Sequence, residues 1–128
     1  MCISTDYPIQ TENLPESVIG YKVVGEYLTN WFTGTTGGEY RYRVGKTHRT
    51  KRTPPFSVLE HLGDARGLKE YLDKDNAKII KVKLEDIERK GLWLYFIKAS
   101  LGRNNYHLAT YKYSVYEGRT LTVLEVVE

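Results

Sequence analysis

Hydrophobic and polar residues alternate most clearly in "AKIIKVKL". There Ile80, Val82 and Leu84 fall on one side of an extended strand, and Lys81 and Lys83 on the other. "YRYRV" alternates in the same way, with Tyr40, Tyr42 and Val44 on one face and Arg41 and Arg43 on the other. "LWLYFI" is apolar at every position, the pattern of a strand covered on both faces, and it puts Trp93 in the core. "YKVV" and "EYLTNWF" add extended pieces. "YHLATYKYSVY" and "RTLTVLEVV" flank Glu117-Gly118, and the pattern predicts a tight turn there. In the last stretch the apolar residues change face, from Leu121 and Val123 to Leu124 and Val126, which predicts a bulge near Val123.

One segment has the helical period. Leu62, Ala65, Leu68 and Leu72 recur at spacings of three and four, predicting an amphipathic helix from about His61 to Asp73. Gly63 and Gly67 weaken it by about 1 kcal/mol each relative to alanine, so it depends on packing against a sheet. "NLPES" predicts a single helical turn, with Asn13 as its cap and Pro15 in its first turn. "EDIE" is expected to be a solvated turn, and Pro54-Pro55 to end a linker. The elements amount to an α+β fold: a mostly antiparallel sheet of five to seven strands with one main helix packed on one face. The 128 residues suit a single domain, 1–128, whose first 12 residues hug the surface or fray.

Composition narrows the chemistry. Apolar residues are 41% and charged residues 27%, an ordinary globular balance, and no apolar run is long enough to span a membrane. The single cysteine, Cys2, allows no internal disulfide and predicts a cytoplasmic protein. His48, His61 and His107 are scattered without metal-ligand spacing, so no metal is expected. Nucleophile-elbow, phosphate-loop and zinc-protease motifs are absent, and the composition suggests no cofactor.

Charge is uneven. Arg41, Arg43, Lys46, Arg49, Lys51 and Arg52 fall within twelve residues together with His48, and no carboxylate interrupts them. Arg41 and Arg43 stand about 7 Å apart on a strand face, a spacing that straddles a phosphate, and guanidinium forks suit that anion. Tyr40, Tyr42 and Trp31 are candidate stacking partners, and Arg103, Asn105 and His107 in "SLGRNNYH" form a second candidate cluster. The competing reading is structural: charge on an edge strand discourages sheet-to-sheet pairing. Both readings stay open on the sequence. A net charge of +3 ranks nucleic acid behind a small anion or an acidic protein surface as partner, and leaves homo-oligomerisation open.

The order "GYKVV", "YRYRVGK", "FSVLEHLGDARGLKEYL", "AKIIKVKLEDI" over residues 20–87 resembles small accessory proteins of phages and prophages. Leu62, Asp64, Ala65, Tyr71 and Leu72, then Ile80, Lys81, Val82 and Leu84, carry the likeness. It implies a protein of the host cytoplasm that sequesters a ligand or blocks a host factor. The same order is similar to part of the ADP-ribosyltransferase fold, which implies an NAD-using enzyme with an arginine or histidine on its first strand, where this chain has a lysine, and a late catalytic glutamate. Lys22 and Glu125 stand at those positions, with Val123 where the paired acid would be. The residues together favour a binding protein over an enzyme. The expected ligand is anionic and nucleotide-derived, with no catalytic residue assigned.

Overall fold

A computed structural model describes residues 3–25, 28, 41–72, 76–100 and 106–128, with the side chains of 71–72, 95–100 and 106–110 outside that description. It contains β1 (Ser17–Val24), β2 (Thr47–Arg49), β3 (Phe56–Leu59), α1 (Leu62–Leu72), β4 (Lys78–Ser100) and β5 (Tyr106–Val126). The strands form one antiparallel five-stranded sheet in the order β2-β5-β3-β1-β4, and β5 also pairs with β4. Four strands therefore close a ring, β4–β1–β3–β5, with β2 on the edge of β5 beyond β3. With one helix of 11 residues, the α+β description fits loosely.

Both faces of this sheet are apolar, because successive residues supply opposite sides. Val23, Leu59, Ile79 and Val115 enter a core under α1 together with Ala65 and Leu68. Their chain neighbours Val24, Val58, Ile80 and Tyr116 enter a second core on the opposite face. Leu68 is fully buried and Ala65 sits beside it, as the helical spacing predicts. Cβ atoms built on Gly63 and Gly67 would meet nothing, so both glycines lie on the helix's open side. Trp93 belongs to the helix-side core. The N-terminal segment completes that core: Ile3 is buried, the Ser4 amide donates to the Leu92 carbonyl, and Gln10 and Lys90 exchange two backbone hydrogen bonds. A Cβ on Gly91 would collide with Ile3, so glycine is what lets this segment lie flat on β4.

Several expected turns are strand instead. "EDIERKG" is the middle of β4, which runs unbroken from "KIIKVKL" through "LWLYFI". Glu117-Gly118 lies inside β5, paired with β3 on one side and β4 on the other. Gly118 answers to a close approach rather than to a turn, since a Cβ there would stand 2.8 Å from the Glu85 carbonyl and 2.9 Å from Leu84 Cγ. "NLPES" forms no helical turn: Asn13 has φ 56° and β1 begins at Ser17. "YRYRV" is not a strand over its described part, 41–44, and Val44 is exposed in a turn.

The bulge foreseen near Val123 is present. Lys81 pairs with Glu125 and Val82 with Val123, leaving Leu124 as the extra residue. A second register shift falls at Glu88, between Ile87 and Arg89. Leu84 and Ile87 share a face although three residues apart, and Asp86 between them has φ 53°. β4 and β5 are thus long strands that bend and change face, which lets two segments line both cores.

Candidate functional site

The basic segment is tied to the free edge of β5 by its backbone. The Gly45 amide donates to the Val123 carbonyl at 2.8 Å, the Val123 amide to the Lys46 carbonyl at 3.1 Å, and the Thr50 amide to the Arg119 carbonyl at 3.0 Å. Between these ties, Thr47, His48 and Arg49 pair with Thr122, Leu121 and Thr120. The Lys46 amide closes a turn on the Arg43 carbonyl, and Gly45 supplies the φ of 83° that the turn requires. Tyr42 and Thr50 point inward and are buried. Tyr42 meets the His48 ring edge-on at 5.6 Å between centroids, and the Lys22 ammonium lies 5.9 Å from the Tyr42 ring centre. Arg41, Arg43, Lys46, Arg49, Lys51 and Arg52 are exposed. The inward residues anchor the segment, and the cations are what it presents.

Two cavities open along it. The first, about 570 Å³, is lined by Arg41, Arg43 and Lys78 with Leu28, Tyr42, Val44 and Val126, and no carboxylate is among the described lining residues. The second, about 580 Å³, is lined by Arg49, Thr50, Lys51, Asp86, Arg119 and Thr120. In it the Thr120 hydroxyl donates to Asp86 Oδ2 at 2.5 Å, and Arg119 Nε donates to Glu88 at 2.5 Å. The positive field registers on His48, whose pKa is lowered first by burial and then by Lys46 and Arg43. Elsewhere cations meet acids: Arg66 with Glu128, Arg89 with Glu117, and Lys90 with Glu60. Among the described residues, Arg41, Arg43, Lys46, Lys51 and Arg52 make no such ion pair, while Arg49 has contacts of its own.

Arg41, Tyr42 and Arg43 therefore share the first cavity, Lys46 lies past the turn, and Arg49 belongs to the second cavity. Tyr42 forms part of the cavity wall from within the core, so it offers no free ring face. Trp31, Tyr40, Arg103 and Asn105 lie outside the described residues. His107 pairs with Ala99 in the distal part of the β4–β5 hairpin, and its side chain lies outside the description. Sequence reasoning missed Lys78, Val126 and Arg119. For Lys78 a signal existed, since period two puts it on the face of Ile80 rather than with Lys81 and Lys83.

A second polar cluster lies beside the N-terminal segment. Ser114 Oγ donates to Glu60 Oε2 at 2.6 Å, Lys90 Nζ reaches Glu60 Oε1 at 3.5 Å, and the ammonium stands 5.0 Å from the Tyr116 ring centre. The Ser114 hydrogen bond, foremost, holds the Glu60 carboxyl below its ordinary pKa, and the Tyr116 hydroxyl, foremost, holds Lys90 above its own. Each is locked in its charged form, which suits a structural pair and not proton transfer near neutrality. His61 is exposed, with Nε2 3.6 Å from Glu60 Oε2.

Lys22 and Glu125 do not converge. Lys22 pairs with Ile80 and shares its face, where its Nζ donates to the Ser57 carbonyl at 2.5 Å. Glu125 pairs with Lys81, which also pairs with Tyr21, and that is the opposite face. A transferase cleft would need both on one side. Among the described residues no group of three or more His, Cys, Asp or Glu is placed to hold a metal ion, and no helix is long and apolar enough to cross a membrane. No protein-family model, curated protein or solved structure matches the chain.

Proposed function

We propose that the chain is a small binding protein that captures an anionic, nucleotide-derived ligand in the cavity between Arg41, Arg43 and Lys78, and acts by withholding it. The reading rests on one observation: three cations line that cavity, with no acid among its described walls. Cations left without a carboxylate repel one another, and an anion relieves that cost. Two guanidinium groups supply forked donors for phosphate oxygens, and Lys78 adds a point charge. Leu28, Val44 and Val126 give the same cavity an apolar side against which a base or sugar packs.

Calorimetric titration with pyrophosphate and with nucleoside diphosphates tests this. Arg41→Ala and Arg43→Ala each weaken binding by about 1.5–3 kcal/mol, the scale of a hydrogen bond to a charged group. Arg66→Ala, which removes a cation already paired with Glu128, leaves binding unchanged. Failure of the wild type to bind any of these anions, or equal losses in all three variants, defeats the reading.

A further inference from the structure

Tyr42 belongs to two places at once. It lines the Arg41–Arg43–Lys78 cavity, and it is 1% exposed in the core on the face opposite α1. It also anchors residues 41–44, which lie in none of the five strands. Its amide donates to the Leu28 carbonyl at 2.9 Å and its ring goes inward, while Arg41 and Arg43 on either side are exposed. The position of Tyr42 therefore sets where both guanidinium groups start. Lys22 stands beside this anchor. It is 6% exposed, its Nζ donates to the Ser57 carbonyl at 2.5 Å, and the ammonium is 5.9 Å from the Tyr42 ring centre. That is within the reach of about 6 Å at which a ring face attracts a cation. A charge there acts on the cavity in two ways. It steadies the ring, and it adds to the positive potential of a site walled by that ring, where burial limits screening by water. Both effects favour a bound anion. The other titratable or charged groups on this side are His48 from β2, Tyr116 from β5, Lys78 from β4, and Arg41 and Arg43. Among the described residues no carboxylate pairs with Lys22.

Resting on the anion-binding reading above, we infer that Lys22 is a positioning residue whose proton is coupled to capture of the anion. Binding in the Arg41–Arg43–Lys78 cavity draws a proton onto Lys22, and loss of that proton weakens the hold. The two effects are one coupling seen from either end. Its sign follows from burial, which lowers the Lys22 pKa to about 8 from 10.5. Below that value the amine is charged and the anion is held at full strength. As pH rises through it the charge is lost and affinity falls. His48 does not share this window, because burial, Lys46 and Arg43 lower its pKa from 6.5 and leave it neutral above pH 7.

Carbon NMR titration of the Lys22 ε-methylene through about pH 7 to 9, with and without adenosine diphosphate (ADP), decides it. A phosphate's second pKa of about 6 keeps that ligand ionised throughout. The Lys22 midpoint is expected to rise by about 0.5 pH or more when ADP is bound, which equals a difference in affinity of about threefold or more between the charged and neutral forms. Calorimetry reads that difference directly. At about pH 8 it also reads the proton taken up, as a heat that changes with the ionisation enthalpy of the buffer. Lys22→Met, shown folded by its thermal melt, binds more weakly at about pH 7, takes up no proton and has no step in its pH profile. A Lys22 midpoint unmoved by bound ADP, or the same proton uptake in Lys22→Met as in the wild type, overturns the inference and leaves the anion-binding reading standing. Failure of the wild type to bind ADP or pyrophosphate at any of these pH values removes both.

Discussion

Arg89 and Lys90 lie against carboxylates under the N-terminal segment, while Arg41, Arg43, Lys46, Lys51 and Arg52 meet none among the described residues. Both groups of cations sit on the same sheet, but the first belongs to its folding. Glu117 is 1% exposed and accepts from Arg89 Nε at 2.7 Å, so the pair neutralises a carboxylate that the fold has taken out of water. The second group is held by its backbone and by Tyr42, and its charges contribute nothing to that hold. Among the described residues, then, one set of cations is neutralised inside the fold and the other is not.

The contrast breaks most easily at the packing it assumes. Leu68 is fully buried under α1, and Leu68→Ala should cost about 2–5 kcal/mol, read as a lower denaturant midpoint. An unchanged midpoint would show that the helix side is not held by packing.

Lys22 is the exception that sharpens the comparison, because it is a buried cation that meets no acid among the described residues. Burial lowers its pKa to about 8 from 10.5. Between those values the unfolded state binds the proton and the folded state does not, so stability should rise as pH rises through that window. The full gain is about 3 kcal/mol. Lys22→Met should remove this slope, and a difference between wild type and variant that stays constant from pH 7.5 to about 10.5 would refute the assignment.

Smaller is the cost of breaking a pair. Glu117→Gln should destabilise by about 1–3 kcal/mol, toward the low end because the Arg89 side chain is 39% exposed and water screens it. Smallest is the effect on the basic segment. Arg43→Ala should change stability by no more than about 0.5 kcal/mol and raise the pKa of His48, since Arg43 is one cause of its depression. Proton NMR titration of His48 reads that shift. A loss of stability comparable with that of Glu117→Gln would make Arg43 structural.

The residues explain why some of this was legible and some was not. The helix could be read because Leu62, Ala65 and Leu68 face one local partner, and the bulge because Leu124 visibly breaks a period of two. Gly118 misled, since glycine marks both a positive φ and a close approach, and only the register of β4 against β5 tells them apart. Glu85 to Lys90 misled because charge accumulates where a long strand bends, as it does in a turn. Tyr-Arg alternation showed correctly which residues of 41–43 face in and out, but it does not say whether a ladder partner exists. The first cavity was half legible: Arg41 and Arg43 are local and period two gives the face of Lys78, whereas its meeting with Val126 depends on the pairing of Ile80 with Val126, which no local pattern encodes.

That same pairing has a consequence for how the chain reaches its fold. β4 and β5 are neighbours in sequence, so their hairpin closes a short loop and forms early. β1, β2 and β3 must return across tens of residues to meet it, and the ring closes only when Tyr21 comes opposite Leu59. Until then β5 carries an open edge from Val115 to Thr122, the stretch later covered by β3 and β2. A stalled chain would offer that edge to another, so the recovered fraction is expected to fall as the refolding concentration rises, which light scattering checks.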